Sequence, residues 1–182
     1  MPISRIPGVG LETTGTASVN TFLRGDNAWS GTITSGTAVA STSGTSIDFT
    51  GIPATAKRIT VMLNGVSQNG AQFIGIQLGD SGGVETTGYT SRAAPANGTG
   101  SAGTSSFLLE AAGSAADLLY GNATITLLSA NTWTYGSVVM TSSGSQYMGS
   151  GVKTLSDTLD RIRIQANGAT FDAGTINIMW ES

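Results

Sequence analysis

Apolar and polar residues alternate along several short stretches of the chain after residue 32. These stretches are residues 46–50, 58–63, 73–78, 124–128, 132–135, 159–164 and 175–180. A period of two is typical of a β-strand that buries one face, and the Gly, Asn, Asp and Pro residues between the stretches favour turns. The pattern predicts seven or eight short strands. It also predicts a hairpin turn at 129–131 and pairing of strand 159–164 with strand 175–180.

This succession of strands predicts an all-β fold for residues 32–182, an antiparallel β-sandwich of jelly-roll-like type. Trp133 and Trp180 occupy core-facing positions of their strands, so we expect both to pack in the core. Residues 111–120 are weakly compatible with a short helix. Residues 90–106 are rich in Gly and polar residues and predict an exposed loop at one end of the sandwich, where recognition often takes place.

Residues 1–31 lack a sustained period and contain Pro and Gly at short intervals, which predicts an extended N-terminal arm. A free tail would rarely hold so many large apolar residues. We therefore expect the arm to become ordered against a socket or against other copies of itself. The residues expected to anchor it and to form trimer contacts are Ile3, Ile6, Val9, Leu11, Phe22, Leu23 and Trp29.

The amino-acid composition excludes several classes of catalytic and metal-binding site. The chain has 26 Gly, 22 Ser and 26 Thr among 182 residues, and it has neither His nor Cys. It therefore cannot form a Ser-His-Asp triad, a Cys nucleophile, a conventional zinc site or a disulfide. Carboxylates remain as acid–base groups, but Asp157 and Asp160 are more typical of a turn entering a strand than of a catalytic pair, and Asp172 lies apart. Residues 79–85 could form a calcium loop, although an ordinary Gly-rich turn is favoured.

We accordingly expect no catalytic residue, no cofactor and no metal, and a protein that is not an enzyme. The eight Lys and Arg residues are spread along a chain of net charge −3, which gives no support to nucleic-acid binding. No apolar run approaches the roughly 18 residues of a membrane helix, and residues 1–10 lack the apolar region of a signal peptide. We expect a chain made in the cytosol, with no membrane partner.

Some residues are expected on the surface and are candidates for contact with a receptor. Tyr89 and Tyr147 are set among Gly, Ser and Thr, and Arg92 and Asn97 lie in the predicted loop. Arg161 and Arg163 alternate with Ile162 and Ile164, which places them on the solvent side of a strand, where they could meet carboxylates of a neighbouring subunit.

Several stretches are similar to bacteriophage proteins. Residues 17–29, Ala-Ser-Val-Asn-Thr-Phe-Leu-Arg-Gly-Asp-Asn-Ala-Trp, resemble a linker that precedes C-terminal domains in phage tail fibres and related appendages. Residues 52–67, 77–89, 159–163 and 170–178 resemble distal domains of tail-fibre-like proteins. This resemblance implies a homotrimeric virion protein, with the arm attached to tail or capsid proteins and the loops directed at host-surface glycans.

The short arm leaves alternatives open within that resemblance. Tail fibres are usually far longer, so a capsid-decorating head fibre or cement protein is the main alternative to a short tail fibre of the receptor-binding type. A phage glycan depolymerase and a stand-alone bacterial lectin are weaker alternatives. In the two leading interpretations the protein is located in the virion, and weak contacts with glycans gain strength from several copies.

Overall fold

The computed structural model of the chain describes residues 21–23, 29–31, 33–111 and 113–182. The chain divides into two compact units, Met1–Thr34 and Ser35–Ser182.

In the first unit, strands β1 (Thr21–Leu23) and β2 (Trp29–Gly31) pair antiparallel. Both strands lie within the predicted arm. The other expected anchors, Ile3, Ile6, Val9 and Leu11, lie outside the described residues. The anchoring role of the arm stays a prediction.

The rest of the chain forms short and long strands joined by turns, and no helix is present in the residues described. These strands are β3 (Ile33–Ser35), β4 (Val39–Ala40), β5 (Ser46–Thr50), β6 (Arg58–Gln68), β7 (Gly75–Asp80), β8 (Gly83–Val84), β9 (Tyr89–Pro95), β10 (Ser101–Gly103), β11 (Phe107–Leu108), β12 (Leu119–Ser129), β13 (Thr132–Thr141), β14 (Gln146–Thr154), β15 (Arg161–Gln165) and β16 (Phe171–Glu181).

Two antiparallel sheets face each other in the second unit. The larger sheet has the strand order β10-β9-β14-β13-β12-β6-β16, and β4 also pairs with β16. The smaller sheet has the order β11-β7-β15-β5, and β8 pairs with the C-terminal end of β7. The chain crosses between the two sheets repeatedly, for example from β5 to β6, from β6 to β7, from β14 to β15 and from β15 to β16. The predicted all-β antiparallel sandwich is confirmed.

The core lies between the two sheets and follows from the period-two pattern. Ile162 and Ile164 of β15 in the smaller sheet are fully buried, as are Ile59 and Val61 of β6 in the larger sheet. Burying one such side chain contributes about 1.5–3 kcal/mol, so the facing rows supply most of the force that holds the sheets together. Trp133 is also buried, as predicted.

Strand β5 and the β12–β13 hairpin agree with the sequence prediction, whereas the end of strand β6 does not. Strand β5 has the predicted bounds, and β12 and β13 form the predicted hairpin around Ala130, whose φ is 45°. Strand β6, however, continues through Asn64 and Gly65, which were predicted to end it. Gly65 has a φ of 64°, and the neighbouring strands shift register beside it, so the two residues form an irregularity within the strand rather than a turn.

The predicted pairing of strand 159–164 with strand 175–180 is wrong. Strand β15 lies between β5 and β7 in the smaller sheet, and β16 lies beside β6 in the larger one. The connection between them crosses the sandwich and buries Ala166 and Ala169. Two strands that pair in one sheet and two that face each other across a core show the same apolar alternation, so the pattern could not distinguish the two arrangements.

The predicted exposed loop at 90–106 is largely a β-hairpin, made of β9 and β10. Its small residues are required by packing. The Ser91 hydroxyl accepts a hydrogen bond from the Leu108 N–H at 3.0 Å, and a Cβ at Gly103 would lie 2.8 Å from Cγ of Leu108. Residues that read as loop by composition therefore form strands that pack closely.

The weakly predicted helix at 111–120 is also wrong. Residues 114–117 form a turn, in which the Asp117 N–H donates to the Ser114 carbonyl, and Leu119 begins β12.

Candidate interaction surfaces

The side of the larger sheet that faces away from the core is termed here the open face. It is formed by alternate residues of β9, β14, β13, β12, β6 and β16, which the register brings into rows across the sheet. The central row runs, strand by strand, through Asn177, Met62, Asn122, Val138, Met148 and Ala94. An adjacent row contains Tyr120, Met140 and Gln146.

Large apolar side chains of these rows are exposed. Val138 is 60% exposed, Met148 is 56% exposed and Met140 is 46% exposed. Antiparallel sheets usually present alternating polar residues to water on the side opposite the core. A row of Val and Met on that side is therefore informative, because a soluble monomer rarely exposes a contiguous apolar patch.

Hollows lie on either side of Val138. One, of about 320 Å³, is lined by Tyr120, Met140 and Gln146 together with Val138. The other, of about 380 Å³, is lined by Gly136, Asn122 and Thr124 together with Val138 and Met148. A Cβ added at Gly136 would meet no atom within 4 Å. Because glycine has no side chain, the sheet surface is depressed at Gly136, next to the projecting Val138 side chain. The open face thus alternates ridges and hollows.

Charged groups on the open face lie at its margins. At one end Arg58 donates to the Glu181 carboxylate from Nε at 2.8 Å. At the other end Arg92 is exposed and donates to the Gly100 carbonyl at 3.1 Å. The two rows described above consist of Asn, Met, Val, Ala, Gln and Tyr residues, without an ionisable group other than the Tyr120 phenol.

The outward side of the smaller sheet is charged. Arg163 of β15 forms a two-bond ion pair with the opposite residue on β5, Asp48, with both contacts at 2.7 Å. Arg161 pairs in the same way with Asp160 at 2.6 and 3.0 Å. The hydrogen bonds that Arg161 donates lower the pKa of Asp160, and the hydrogen bonds that Arg163 donates to Asp48 raise the pKa of Arg163. The arginines lie where the sequence predicted, and they meet carboxylates of their own chain.

Residues 79–85, for which the sequence favoured an ordinary Gly-rich turn over a calcium loop, form the turn between β7 and β8 and the residues beside it. The Asp80 carboxylate accepts hydrogen bonds from the Ser156 hydroxyl at 2.7 Å and from the Gly82 N–H at 2.8 Å, and these bonds lower its pKa. The Glu85 carboxylate accepts the Ser156 N–H at 2.7 Å and pairs with Lys153. Burial alone would raise the pKa of Glu85, but these contacts lower it.

Lys153 of β14 thus joins the larger sheet to the segment beside the smaller one. Its side chain is buried, and its ammonium group lies 5.4 Å from the centre of the Tyr89 ring. The carboxylates at 79–85 are held by protein donors, and the described residues contain no group of three or more Asp or Glu that could hold a metal ion. The arrangement is that of a polar joint between sheets.

Two of the residues predicted at a receptor-contact surface are buried, and that placement is wrong. Tyr89 is 3% exposed, its ring packs edge-on against Phe107, and its hydroxyl contacts the Leu78 N–H at 2.7 Å and the Glu85 carbonyl at 3.0 Å. Burial raises the pKa of this phenol. Tyr147 is 8% exposed. Both were placed outside because their neighbours in sequence are Gly, Ser and Thr, but those neighbours form strands.

Arg92 and Asn97 are exposed, as predicted. Arg92 lies on β9 and Asn97 in the turn that follows, and Asn97 lines a hollow of about 270 Å³ together with Gly144, Ser145 and Gln146. Contact with a receptor at either residue stays a prediction.

The three carboxylates considered for catalysis are not brought together as a facing pair. The Asp160 carboxylate forms an ion pair with Arg161, and the Asp157 carboxylate accepts a hydrogen bond from the Thr158 N–H at 2.7 Å, as expected of a turn. Asp172 lies in β16 and is exposed.

The open face does not follow from the predicted strands. Val138 and Met140 lie beyond the predicted stretch 132–135, and the Gly and Ser residues of the stretch 146–154 conceal a strand there. The signal available in the sequence was a period of two along this strand. Met148 and Val152 lie four residues apart, which places both on the same outward side of the strand.

Searches against protein-family models, curated proteins and solved structures found no match to this chain. The described residues also contain no helix that is long and apolar enough to cross a membrane.

Proposed function

We propose that this chain is a structural protein of a bacteriophage particle, a homotrimeric short fibre attached by its N-terminal arm. The observation that carries the proposal is the open face, where exposed Val138, Met140 and Met148 form a largely uncharged apolar surface on a well-packed sandwich. An exposed apolar surface of this kind favours stable association with another protein chain over a monomeric state.

The resemblance of residues 17–29 to the linker of phage appendages supports the same proposal from a different part of the chain. In this proposal the arm binds the particle and the sandwich is displayed. Two exposed residues, Arg92 on β9 and Asn97 in the turn after it, are then available to host glycans, and weak contacts with these glycans are multiplied by the number of copies.

The test is incorporation into purified particles of the phage that encodes the protein. We expect the full chain to be present by mass spectrometry, and we expect Leu23→Asp, which places a charge in the arm, to reduce incorporation at least tenfold. Thr50→Glu, on the exposed side of β5, is the matched control and should be incorporated normally. Absence of the wild-type chain from particles would refute the virion function.

The same measurement separates the two virion positions. A tail fibre is present in a low copy number set by the symmetry of the tail, whereas a capsid-decorating protein follows the many positions of the capsid lattice. Normal incorporation of Leu23→Asp would refute attachment through the arm.

A further inference from the structure

We propose that the open face is the surface through which copies of this chain contact one another, with the row from Met62 to Met148 buried between neighbours. The inference rests on the proposed homotrimer and adds the identity of the contact surface. It is carried by the chemistry, shape and size of the face.

The charge distribution favours a second copy over a charged partner. A chain of net charge −3 repels itself wherever carboxylates meet, so contact between copies is easiest across a surface that lacks them. The central row and the Tyr120–Met140 row carry no carboxylate. An acidic or basic partner, in contrast, would find no opposite charge there except at the margins, where Arg58 is already paired with Glu181.

The shape of the face is suited to its own copy. Val138 and Met148 stand side by side, directly opposite each other on β13 and β14. The hollows of about 320 and 380 Å³ beside them are lined by uncharged residues. A raised pair next to hollows of this kind allows the side chains of one copy to enter the hollows of the next, as a closed ring of copies requires.

The size of the face fits contact around a threefold axis, where the two halves of one face meet the two neighbouring copies. Six strands at about 4.8 Å spacing and about six residues of each strand give a face of roughly 25 by 20 Å, about 500 Å² in projection. The accessible area of projecting side chains exceeds their projection, so the face approaches the roughly 800 Å² that one protein buries in a standard interface, here shared between two neighbours.

The first experiment measures the mass of the full chain in solution by light scattering during gel filtration, over a range of concentrations. We expect a trimer for the wild type and a threefold lower mass for Val138→Glu and for Met148→Glu. Thr50→Glu adds the same charge to an exposed position of β5 on the other side of the sandwich and should remain trimeric. Circular dichroism and thermal melts verify that each variant is folded.

The second experiment uses the absence of cysteine, which makes any introduced thiol unique in the chain. With a short bismaleimide linker, Val138→Cys copies should become covalently joined much faster than Thr50→Cys copies, and dilution should not abolish the difference. This measurement stays informative even if the glutamate variants fail to fold.

Three results would overturn the inference: a monomeric wild type at every concentration, a trimer that survives both glutamate substitutions, or equal linking through Val138→Cys and Thr50→Cys. None of them decides whether the chain is present in purified particles, so failure of the contact surface is distinguishable from failure of the virion function. If Val138→Glu lowers incorporation of a chain that is monomeric alone, the face binds a particle protein instead of a second copy.

Discussion

The two outward sides of the sandwich differ in what covers them. On the smaller sheet, Arg163 and Asp48 form an exposed ion pair, and β7 is overlaid by the residues that follow it. On the larger sheet, Val138 and Met148 are exposed, and no described part of the second unit overlays Gly136. The described residues of the second unit therefore cover one outward side and leave the other open, as the proposed contact between copies requires.

The glycines show the same difference at atomic scale. A Cβ at Gly79, on the outward side of the smaller sheet, would press against the Gly83 carbonyl oxygen and lie 2.8 Å from Cγ of Arg161. A Cβ at Gly136 would reach nothing within 4 Å. Both glycines lie in the interior of a strand, but only the first is required by close packing.

The largest expected effect concerns Glu110, which ties the segment that follows β11 to the start of the smaller sheet. Glu110 is buried; its Oε1 accepts the Ile74 N–H at 3.1 Å, and its Oε2 has no hydrogen-bond partner among the described residues. Burial raises the pKa of Glu110 to about 7, against the bond from Ile74 and with a further rise from the Asp117 carboxylate. The folded protein therefore keeps a proton that the unfolded chain, with a pKa near 4.5, has released.

The free energy of unfolding should fall as pH rises from about 4.5 to 7, by up to about 3 kcal/mol, and the stabilisation is complete only below this window. Thermal melts across the window measure it. Glu110→Gln is neutral throughout and should show a flat profile. Asp80, Glu85 and Asp160 have lowered pKa values and titrate below the window. A wild-type profile as flat as that of the variant would contradict a buried, protonated Glu110.

The second effect comes from the two glycines. Gly79→Ala should lower the free energy of unfolding by about 2 kcal/mol, because the added methyl group displaces backbone that cannot retreat. In the monomeric Val138→Glu background, Gly136→Ala should leave it unchanged or raise it by about 0.5 kcal/mol, because the substitution restricts the unfolded chain and meets open space in the single chain. Urea denaturation of each variant beside its parent protein measures both values. Equal losses would show that the open face is as closely covered as the other side.

The sequence predicted the parts of this architecture that depend on local alternation. Strand β5 and the β12–β13 hairpin follow from clear period-two patterns around recognisable turn residues. The sheet in which a strand lies could not be predicted this way, because β15 and β16 have equally apolar inner faces whether they pair or oppose each other. Strand assignment therefore depended on long-range packing that a local pattern does not contain.

Surface prediction failed for a related reason. Tyr89 and Tyr147 have small polar neighbours in sequence, but strands built from Ser and Gly approach closely enough to bury large rings. The stacking of Phe107 on Tyr135, with ring centres 4.6 Å apart, occurs beside Gly149, where a Cβ would lie 2.8 Å from the Tyr135 hydroxyl. Glycine residues in these strands provide room for aromatic side chains, although a Gly-rich composition by itself predicts a loop.

The smallest expected effect tests the charged side directly. The Arg163–Asp48 pair is two-bonded but exposed, with about a third of each side chain in water. A double-mutant cycle with Arg163→Ala and Asp48→Ala should give a coupling of about 0.5 kcal/mol, because water screens exposed pairs. The coupling should decrease when salt rises from about 0.1 to 1 M, as the screening length falls from about 10 to 3 Å.

The matched cycle uses Thr134 and Val152, which are opposite each other on the open face. Its coupling comes from contact between uncharged side chains and should not change with salt. In the trimeric state the Val152→Ala change should also become concentration-dependent if the open face is buried between copies, whereas the Arg163 cycle should not. A salt-dependent Thr134–Val152 coupling, or a concentration-dependent Arg163–Asp48 coupling, would reverse the assignment of the two sides, because it would place the contact between copies on the charged sheet.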